Sequence, residues 1–473
     1  MEGEFEDKEV GAATSEPASA QRRTTLGGPL VGERIDDRTI SLPRPERVGQ
    51  PGRFTDLDGA RGLAGAPGQV GGAAGAPAAG ALRLAIAGGG TGGHVVPGLH
   101  LLDHLQSAMG GEAQAAAERA SELDDLLWFH SGRRAEDRCL AELDAHPAAP
   151  RLERIVLEIE PDGGGAPSLR RLSRRMIPAF LGARRALIRH RSQVLLGLGG
   201  FTTAPATLAA RSLGIPVVLL EINATAGKAT RTLGPICQRV LHAWRETLPP
   251  GREGSKHQLV GPPVAPRFVA PGDRAESQRE AKDDLGFDPD RPLLVVLGGS
   301  QGARGLNAFV RTNVSYLLGS GVQVLHQVGP GRRSEGATNL EGYAAIEYLD
   351  DVWLALVAAD GVLCRGGAST LAEIGAVGTP AWVVPYPHHS DGHQERNARQ
   401  LHGGVRIIEE QDLDHGRCEE LVRFLGADGM DERDRMRRHL RAAVPLDAAS
   451  RIWGELERLS VTRAAKGAKG WAR

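Results

Sequence analysis

Residues 84–105 read LAIAGGGTGGHVVPGLHLLDHL. An apolar run ends at a cluster of glycines, His94 follows, and apolar residues then return at helical spacing. This order predicts a strand, a tight turn and a helix, the unit from which doubly wound α/β folds are built. Glycines in such a turn let the backbone approach a ligand closely, and the start of the helix favours an anion.

From Leu82 onwards, short strand-like runs alternate with helical patterns, and the alternation restarts after a polar link near residues 266–290. The chain is longer than one hydrophobic core usually serves. We therefore predict the α/β class, with two Rossmann-like, doubly wound parallel-sheet domains facing a cleft. The expected divisions are a disordered Ala-, Gly- and Pro-rich extension over 1–80, a first domain over 81–265, a second over 266–445, and a C-terminal helix and tail over 446–473. That last helix could extend the second domain or cross back to the first.

Charge, cysteine content and apolar stretches indicate the general class of the protein. The formal net charge is -1, so overall charge gives no argument for nucleic-acid binding. The four cysteines lie far apart without a CxxC pair, which favours a reduced, cytosolic chain. No apolar stretch approaches the roughly 20 residues that a membrane span needs, and the acidic start lacks the apolar core of a signal peptide. We expect a soluble protein that can still bind a membrane surface.

The glycine cluster over 88–93 also matches GxGxxG, the fingerprint of dinucleotide-binding enzymes. That hypothesis needs a carboxylate at the end of the next strand, which instead reads LLWFHSGRR. Two more strand, glycine turn and helix patterns follow at 292–310 and 361–378, and none of the three is a Walker P-loop. In the second turn, Ser300 and Gln301 would face an anion at a helix start. Three such turns in two domains favour a ligand held from both sides.

Six blocks carry a resemblance to a known family: GGGTGGHVVPGL, GLGGFTTAPATLAA, EINATAGKATRTL, GGSQGARGLN, HQVG, and CRGGASTLAEIGAVGTPAWVVPYP with DGHQERNA. In this order, over about residues 82–410, they resemble the MurG family of GT-B glycosyltransferases. The resemblance implies transfer of GlcNAc from UDP-GlcNAc to the C4 hydroxyl of the muramoyl sugar of lipid I. The products are lipid II and UDP, with inversion, and the expected place is the cytoplasmic face of the cell membrane. It also implies that the first domain faces acceptor and membrane and that the second binds UDP-GlcNAc.

The resemblance assigns the site residue by residue. His94 is the candidate general base, because a histidine accepts a proton near neutrality; its alternative role is only to hydrogen-bond the acceptor or a phosphate. Glu373 is assigned to the ribose hydroxyls, or else merely caps its helix, while Leu349 would meet uracil through its backbone and Gln394 the GlcNAc hydroxyls. The full substrate-binding set is Thr91, Gly92, Gly93, Asn223, Ser300, Gln301, Leu349, Ala368, Ser369, Thr370, Leu371, Ala372, Glu373, Gln394 and Asn397.

Departures from the family pattern concern single contacts. The chain has LEIN where HEQN is usual, and Ala265 stands where an arginine is expected, with Arg267 two residues on as a possible substitute. We expect no metal and no cofactor: the DxD strings lie in the tail or in polar links. The family pattern already accounts for the histidine-rich loop with His388, His389, Asp391 and His393.

Residues 169–191 interleave arginine pairs with large apolar side chains, which is typical of a helix that binds anionic membrane surfaces. The alternative is a helix packed on its own sheet with a solvated arginine face, and Pro178 interrupts its regularity. The rival functions are an NAD-linked oxidoreductase, a non-catalytic UDP-sugar-binding protein, a UDP-GlcNAc 2-epimerase and a lipid-disaccharide transferase.

Overall fold

The computed structural model describes residues 82–108, 123–149, 151–159, 169–254, 256–269, 274–333, 340–387 and 392–470. The extension expected over 1–80 lies outside these residues. Two parallel sheets with flanking helices form the fold. The predicted fold class, two doubly wound α/β domains, is confirmed.

The first domain is built on a seven-stranded sheet with the order β3-β2-β1-β4-β5-β6-β7. Its elements are β1 Leu82–Gly88, α1 Val96–Ala108, β2 Leu123–His130, α2 Asp137–Asp144, β3 Leu152–Val156, α3 Leu169–His190, β4 Val194–Gly199, α4 Thr203–Ser212, β5 Val217–Glu221, α5 Lys228–Leu233, β6 Arg239–His242 and β7 His257–Leu259. Both faces of the sheet are covered: Leu84 and Ile86 of β1 belong to one buried cluster, Ala85 and Ala87 to another. This explains why the strand reads as one continuous apolar run.

The second domain contains a six-stranded sheet with the order β10-β9-β8-β11-β12-β13. Its elements are α6 Arg274–Asp284, β8 Leu293–Leu297, α7 Arg304–Gly319, β9 Gln323–Gln327, β10 Tyr343–Ile346, α8 Val352–Ala358, β11 Gly361–Cys364, α9 Ala368–Val377, β12 Ala381–Val383, α10 His393–Arg399, β13 Val405–Ile407, α11 His415–Leu425 and α12 Met430–Ala443. A final helix, α13 Ala448–Gly470, follows.

The strand orders indicate where a ligand would bind. In the first sheet the chain changes direction of travel between β1 and β4, and in the second between β8 and β11. Ligands of open parallel sheets bind at such points, outside the carboxyl ends of the strands. The three predicted glycine turns follow β1, β8 and β11. The fold therefore places all three at the two switch points.

Helix α13 crosses back to the first domain, which decides between the two alternatives left by the sequence. Ile452, Trp453 and Leu456 are buried in the core of the first domain. The indole N–H of Trp453 donates to the carbonyl of Leu101 on α1 at 2.9 Å. None of the helices in the described ranges combines the length and apolarity required to cross a bilayer.

Candidate active site

His94 ends a short 3-10 turn, Gly92–His94, between β1 and α1. Its Nδ1 lies 3.0 Å from the carbonyl oxygen of Gly89. A carbonyl only accepts hydrogen bonds, so Nδ1 carries the proton in this geometry and Nε2 is left as the unprotonated nitrogen. The end of β4 lies directly against the ring: a Cβ added to Gly199 would be 3.2 Å from Nε2. His94 is thus fixed at the switch point of the first sheet.

The environment of His94 keeps the imidazole neutral. Partial burial lowers the pKa of His94 below its ordinary value, against the hydrogen bond to Gly89 and the charges of Glu221 and Glu136, which act in the raising direction. A lowered pKa means that the ring is unprotonated at neutral pH and can accept a proton.

A carboxylate that the sequence analysis missed holds the turn of His94. Glu136 is fully buried and accepts hydrogen bonds from the backbone N–H of Gly90, the hydroxyl of Ser131 and, at 3.1 Å, the backbone N–H of Ser131. Burial alone would raise the pKa of Glu136, but the His130 ring, whose Nδ1 lies 3.5 Å from Oε2, and the hydrogen bonds from Ser131 and Gly90 outweigh it and hold the pKa below its usual value. The feature of the sequence that could have identified Glu136 is its position just after β2, the strand beside β1.

Replacing Glu136 by glutamine is expected to lower kcat/KM about tenfold, because the new amide points N–H donors at groups that themselves donate. Removing the negative charge also lowers the pKa of His94 further, since that charge favours the protonated ring. If neutral His94 is required, the acid limb of the pH–rate profile moves to lower pH. An acid limb that stays in place while activity falls would show that Glu136 acts through the geometry of the turn and not through its charge on His94.

The donor-side residues gather at the second switch point. Ser300 lies in the turn after β8, and its Oγ would be 3.8 Å from a Cβ on Gly92, so this turn meets the glycine turn of the first domain. Gln301 is exposed, and α9 begins at Ala368 without a side-chain cap. The first N–H groups of α9 therefore have no partner within the helix and can bind an anion. Leu349 is buried in the core of the second domain, which fixes its segment by packing.

Two of the predicted residues join the domains. The side-chain N–H of Asn397 donates to the side-chain oxygen of Asn223 at 3.2 Å, and its own oxygen accepts from the backbone N–H of Ala224 at 2.7 Å. Glu221, at the end of β5, holds the same loop by accepting from the backbone N–H of Asn223 at 3.1 Å. The Oε1 of Gln394 accepts from the backbone N–H of Tyr386 at 2.9 Å. Asn223 thus has a defined orientation between the domains.

The structure also shows the surroundings of Ala265, Arg267 and Glu373, for which the sequence left alternatives open. Ala265 is fully buried, and the guanidinium of Arg267 lies 3.6 Å from both Asp103 and Glu142 of the first domain. Glu373 does not cap α9; its Oε1 lies 3.0 Å from Nε2 of His100 on α1. His388, His389 and Asp391 lie outside the described residues.

Comparison with known proteins agrees with this architecture. A family model described as the glycosyltransferase family 28 N-terminal domain matches residues 151–242, and one described as the family 28 C-terminal domain matches residues 293–448. A relative from Nocardioides sp. is 37% identical over 70% of this chain and 86% of its own length. One from Corynebacterium efficiens is 34% identical over 70% of this chain and 85% of its own. Both are named UDP-N-acetylglucosamine--N-acetylmuramyl-(pentapeptide) pyrophosphoryl-undecaprenol N-acetylglucosamine transferase. The chain belongs to this family, MurG.

Solved structures extend the MurG comparison to the fold. The crystal structure of Acinetobacter baumannii MurG superposes with a TM-score of 0.56 at 24% identity, over 79% of this chain and 99% of that one. A putative UDP-N-acetylglucosamine 2-epimerase from Listeria monocytogenes gives a TM-score of 0.53 at 14% identity, over 79% and 94%. At these identities the likeness concerns the GT-B fold alone, which transferases and epimerases share.

Proposed function

We propose that this chain transfers GlcNAc from UDP-GlcNAc to the C4 hydroxyl of the muramoyl sugar of lipid I, forming lipid II and UDP with inversion. The observation that carries the proposal is the placement of His94: its Nδ1 faces the carbonyl of Gly89, which leaves Nε2 to accept a proton, and its turn meets the Ser300 turn of the opposite domain. A base on one domain and anion-binding helix starts on the other are what a sugar transfer between two bound substrates needs.

The reaction is a single displacement at C1 of GlcNAc. The C4 oxygen of the acceptor forms a bond to C1 as its proton passes to Nε2 of His94. The bond between C1 and the β-phosphate oxygen breaks, and UDP leaves with the electron pair. The N–H groups at the start of α9 and the turn with Ser300 and Gln301 stabilise the negative charge that develops on the diphosphate.

The remaining donor contacts follow from the matched motifs. Leu349 meets uracil through its backbone, Glu373 binds the ribose hydroxyls, and Gln394 with Asn223 orients the GlcNAc hydroxyls. The support for Asn223 is its position between the domains, where Asn397 and Glu221 fix its side chain and backbone. A sugar held in one orientation presents C1 to the acceptor without a further entropy cost.

We further propose that α3 brings the enzyme to the cytoplasmic face of the membrane, where the lipid tail of the acceptor resides. The helix runs unbroken through Pro178 and leaves Ile177, Leu181 and Ile188 exposed by 64%, 42% and 50%. At about 100° per residue these three side chains fall within roughly 40° of one another. Arg174 and Arg185 are exposed beside them. Such a face can insert apolar side chains while arginines meet anionic headgroups.

A double substitution tests this surface. Ile177→Glu with Leu181→Glu is expected to weaken binding to anionic phospholipid vesicles at least about tenfold, because two apolar groups no longer insert and two negative charges are added. Transfer to a short-chain, water-soluble lipid I analogue should be unchanged. Leu446→Glu, at a site 51% exposed outside α3, is the matched control. Equal vesicle binding by both variants would refute the role of α3.

The function itself is tested by acceptor-dependent release of UDP. Purified enzyme with UDP-GlcNAc should release UDP only when the lipid I analogue is added. Formation of UDP-ManNAc without acceptor would instead identify a 2-epimerase. Tight UDP-GlcNAc binding with neither product would identify a non-catalytic UDP-sugar-binding protein.

A further inference from the structure

No role in the site was predicted for His100 from the sequence, yet His100 of the first domain contacts the carboxylate of Glu373 in the second domain. It lies on α1 of the first domain and is 3% exposed. Its Nε2 is 3.0 Å from Oε1 of Glu373, which is itself 6% exposed on α9 of the second domain. With both groups buried, water does not compete for this contact, so its geometry is well determined.

The surroundings of His100 define what the ring can do. Within the described part of the chain, its Nδ1 has no hydrogen-bond partner. A proton on Nδ1 would therefore be buried without an acceptor, whereas a proton on Nε2 is donated to Glu373. Phe268 packs edge-on against the ring, with centroids 5.5 Å apart and planes at 85°. The imidazole is held by packing and aimed at one carboxylate oxygen.

The linker between the domains takes part in this arrangement. Phe268 ends the short linker helix Pro266–Phe268, which lies between the first and second sheets in the chain. Its neighbour Arg267 is anchored to Asp103 and Glu142 of the first domain. The linker thus packs against the ring of His100 while Arg267 holds it to the first domain.

We propose that His100 is a positioning residue for donor binding: it holds Oε1 of Glu373 across the domain junction and leaves Oε2 for the ribose of the nucleotide. The inference rests on the proposed function, which assigns Glu373 to the ribose. Its consequence is that the first domain, which is proposed to bind the acceptor, also sets the affinity of the second domain for UDP-GlcNAc. The ribose carboxylate is correctly oriented only while α1, the linker and α9 are packed together.

The test measures UDP binding by titration calorimetry, which needs no acceptor and no turnover. His100→Ala is expected to weaken UDP binding about tenfold, since a buried carboxylate loses the donor that orients it. His100→Gln, whose amide N–H can reach the place of Nε2, should restore most of the affinity. His104→Ala on the same helix, where the ring faces Ser450 of α13, is the matched control and should bind UDP normally.

A double-mutant cycle separates this inference from the function on which it rests. If His100 acts through Glu373, His100→Ala combined with Glu373→Gln binds UDP no more weakly than Glu373→Gln alone. Losses that multiply would overturn the inference, as would normal UDP binding by His100→Ala when Glu373→Gln binds weakly. Normal binding by Glu373→Gln would instead remove the ribose assignment of Glu373 itself, and with it the role of His100.

Discussion

His94→Ala is expected to reduce kcat for GlcNAc transfer by about 10²- to 10⁴-fold, the usual contribution of a positioned general base. The reason is structural: Nδ1 is committed to the carbonyl of Gly89, so Nε2 is the nitrogen available for the acceptor proton. The measurement is steady-state transfer to a short-chain lipid I analogue, alongside UDP binding by calorimetry. UDP binding should be retained, because the proposed diphosphate and uridine contacts lie on the second domain.

The pH dependence of the wild-type enzyme is a second, independent test of the role of His94. Burial is the main reason why the pKa of His94 is lowered. The ring therefore stays neutral even when the pH falls to about 6.5, the ordinary pKa of histidine. kcat/KM should therefore be level through neutral pH and fall only below that value. A variant His94→Ala with near-normal turnover would refute the assignment of the base, and another group of the first domain would have to act.

Gly200→Ala is expected to have the second-largest effect, a loss of about 10²-fold in kcat/KM from misplaced catalytic groups. Gly200 has a φ of +77°, and an added Cβ would stand 2.3 Å from the carbonyl oxygen of Gly89 and 3.3 Å from Nδ1 of His94. The methyl group would push away the same carbonyl that orients the imidazole. The defect should appear in the transfer rate, while UDP binding remains near normal.

The control for Gly200 is another glycine of the same domain with a similar backbone. Gly214 has a φ of +66°, and an added Cβ would meet nothing within 4 Å. Gly214→Ala therefore carries the same left-handed strain without the collision, at a cost of about 1 kcal/mol in stability. Equal losses of transfer in both variants would mean that strain alone, and not the geometry of His94, explains the result.

The sequence predicted the fold well where local pattern decides it. The apolar run ending at Gly88, with helical spacing resuming after His94, specified β1, the turn and α1. The same logic placed the turns after β8 and β11. Periodicity and glycine content reflect nearest-neighbour physics, so they can be read without knowing which strands are adjacent. The site residues within these turns remain predictions for the experiments above.

Contacts between distant segments could not be predicted in the same way. Glu136 reaches the turn of His94 only because β2 lies beside β1. A carboxylate that follows a strand in the sequence does not indicate which backbone groups it will accept hydrogen bonds from. Helix α13 is amphipathic, but its pattern does not say which domain receives Trp453. His100 and Glu373 are 273 residues apart, and only the packing of the two domains brings them within 3.0 Å.

Transfer of labelled GlcNAc tests the proposed reaction and its stereochemistry in one experiment. Enzyme, UDP-GlcNAc carrying ¹³C at C1 and a short-chain lipid I analogue are incubated together, and the product is isolated for mass spectrometry and NMR. We expect one new lipid-linked disaccharide, with the labelled anomeric carbon in the β configuration on C4 of the muramoyl sugar. Label remaining in UDP-GlcNAc, appearing in UDP-ManNAc, or reaching the acceptor with retained configuration would contradict the proposed reaction.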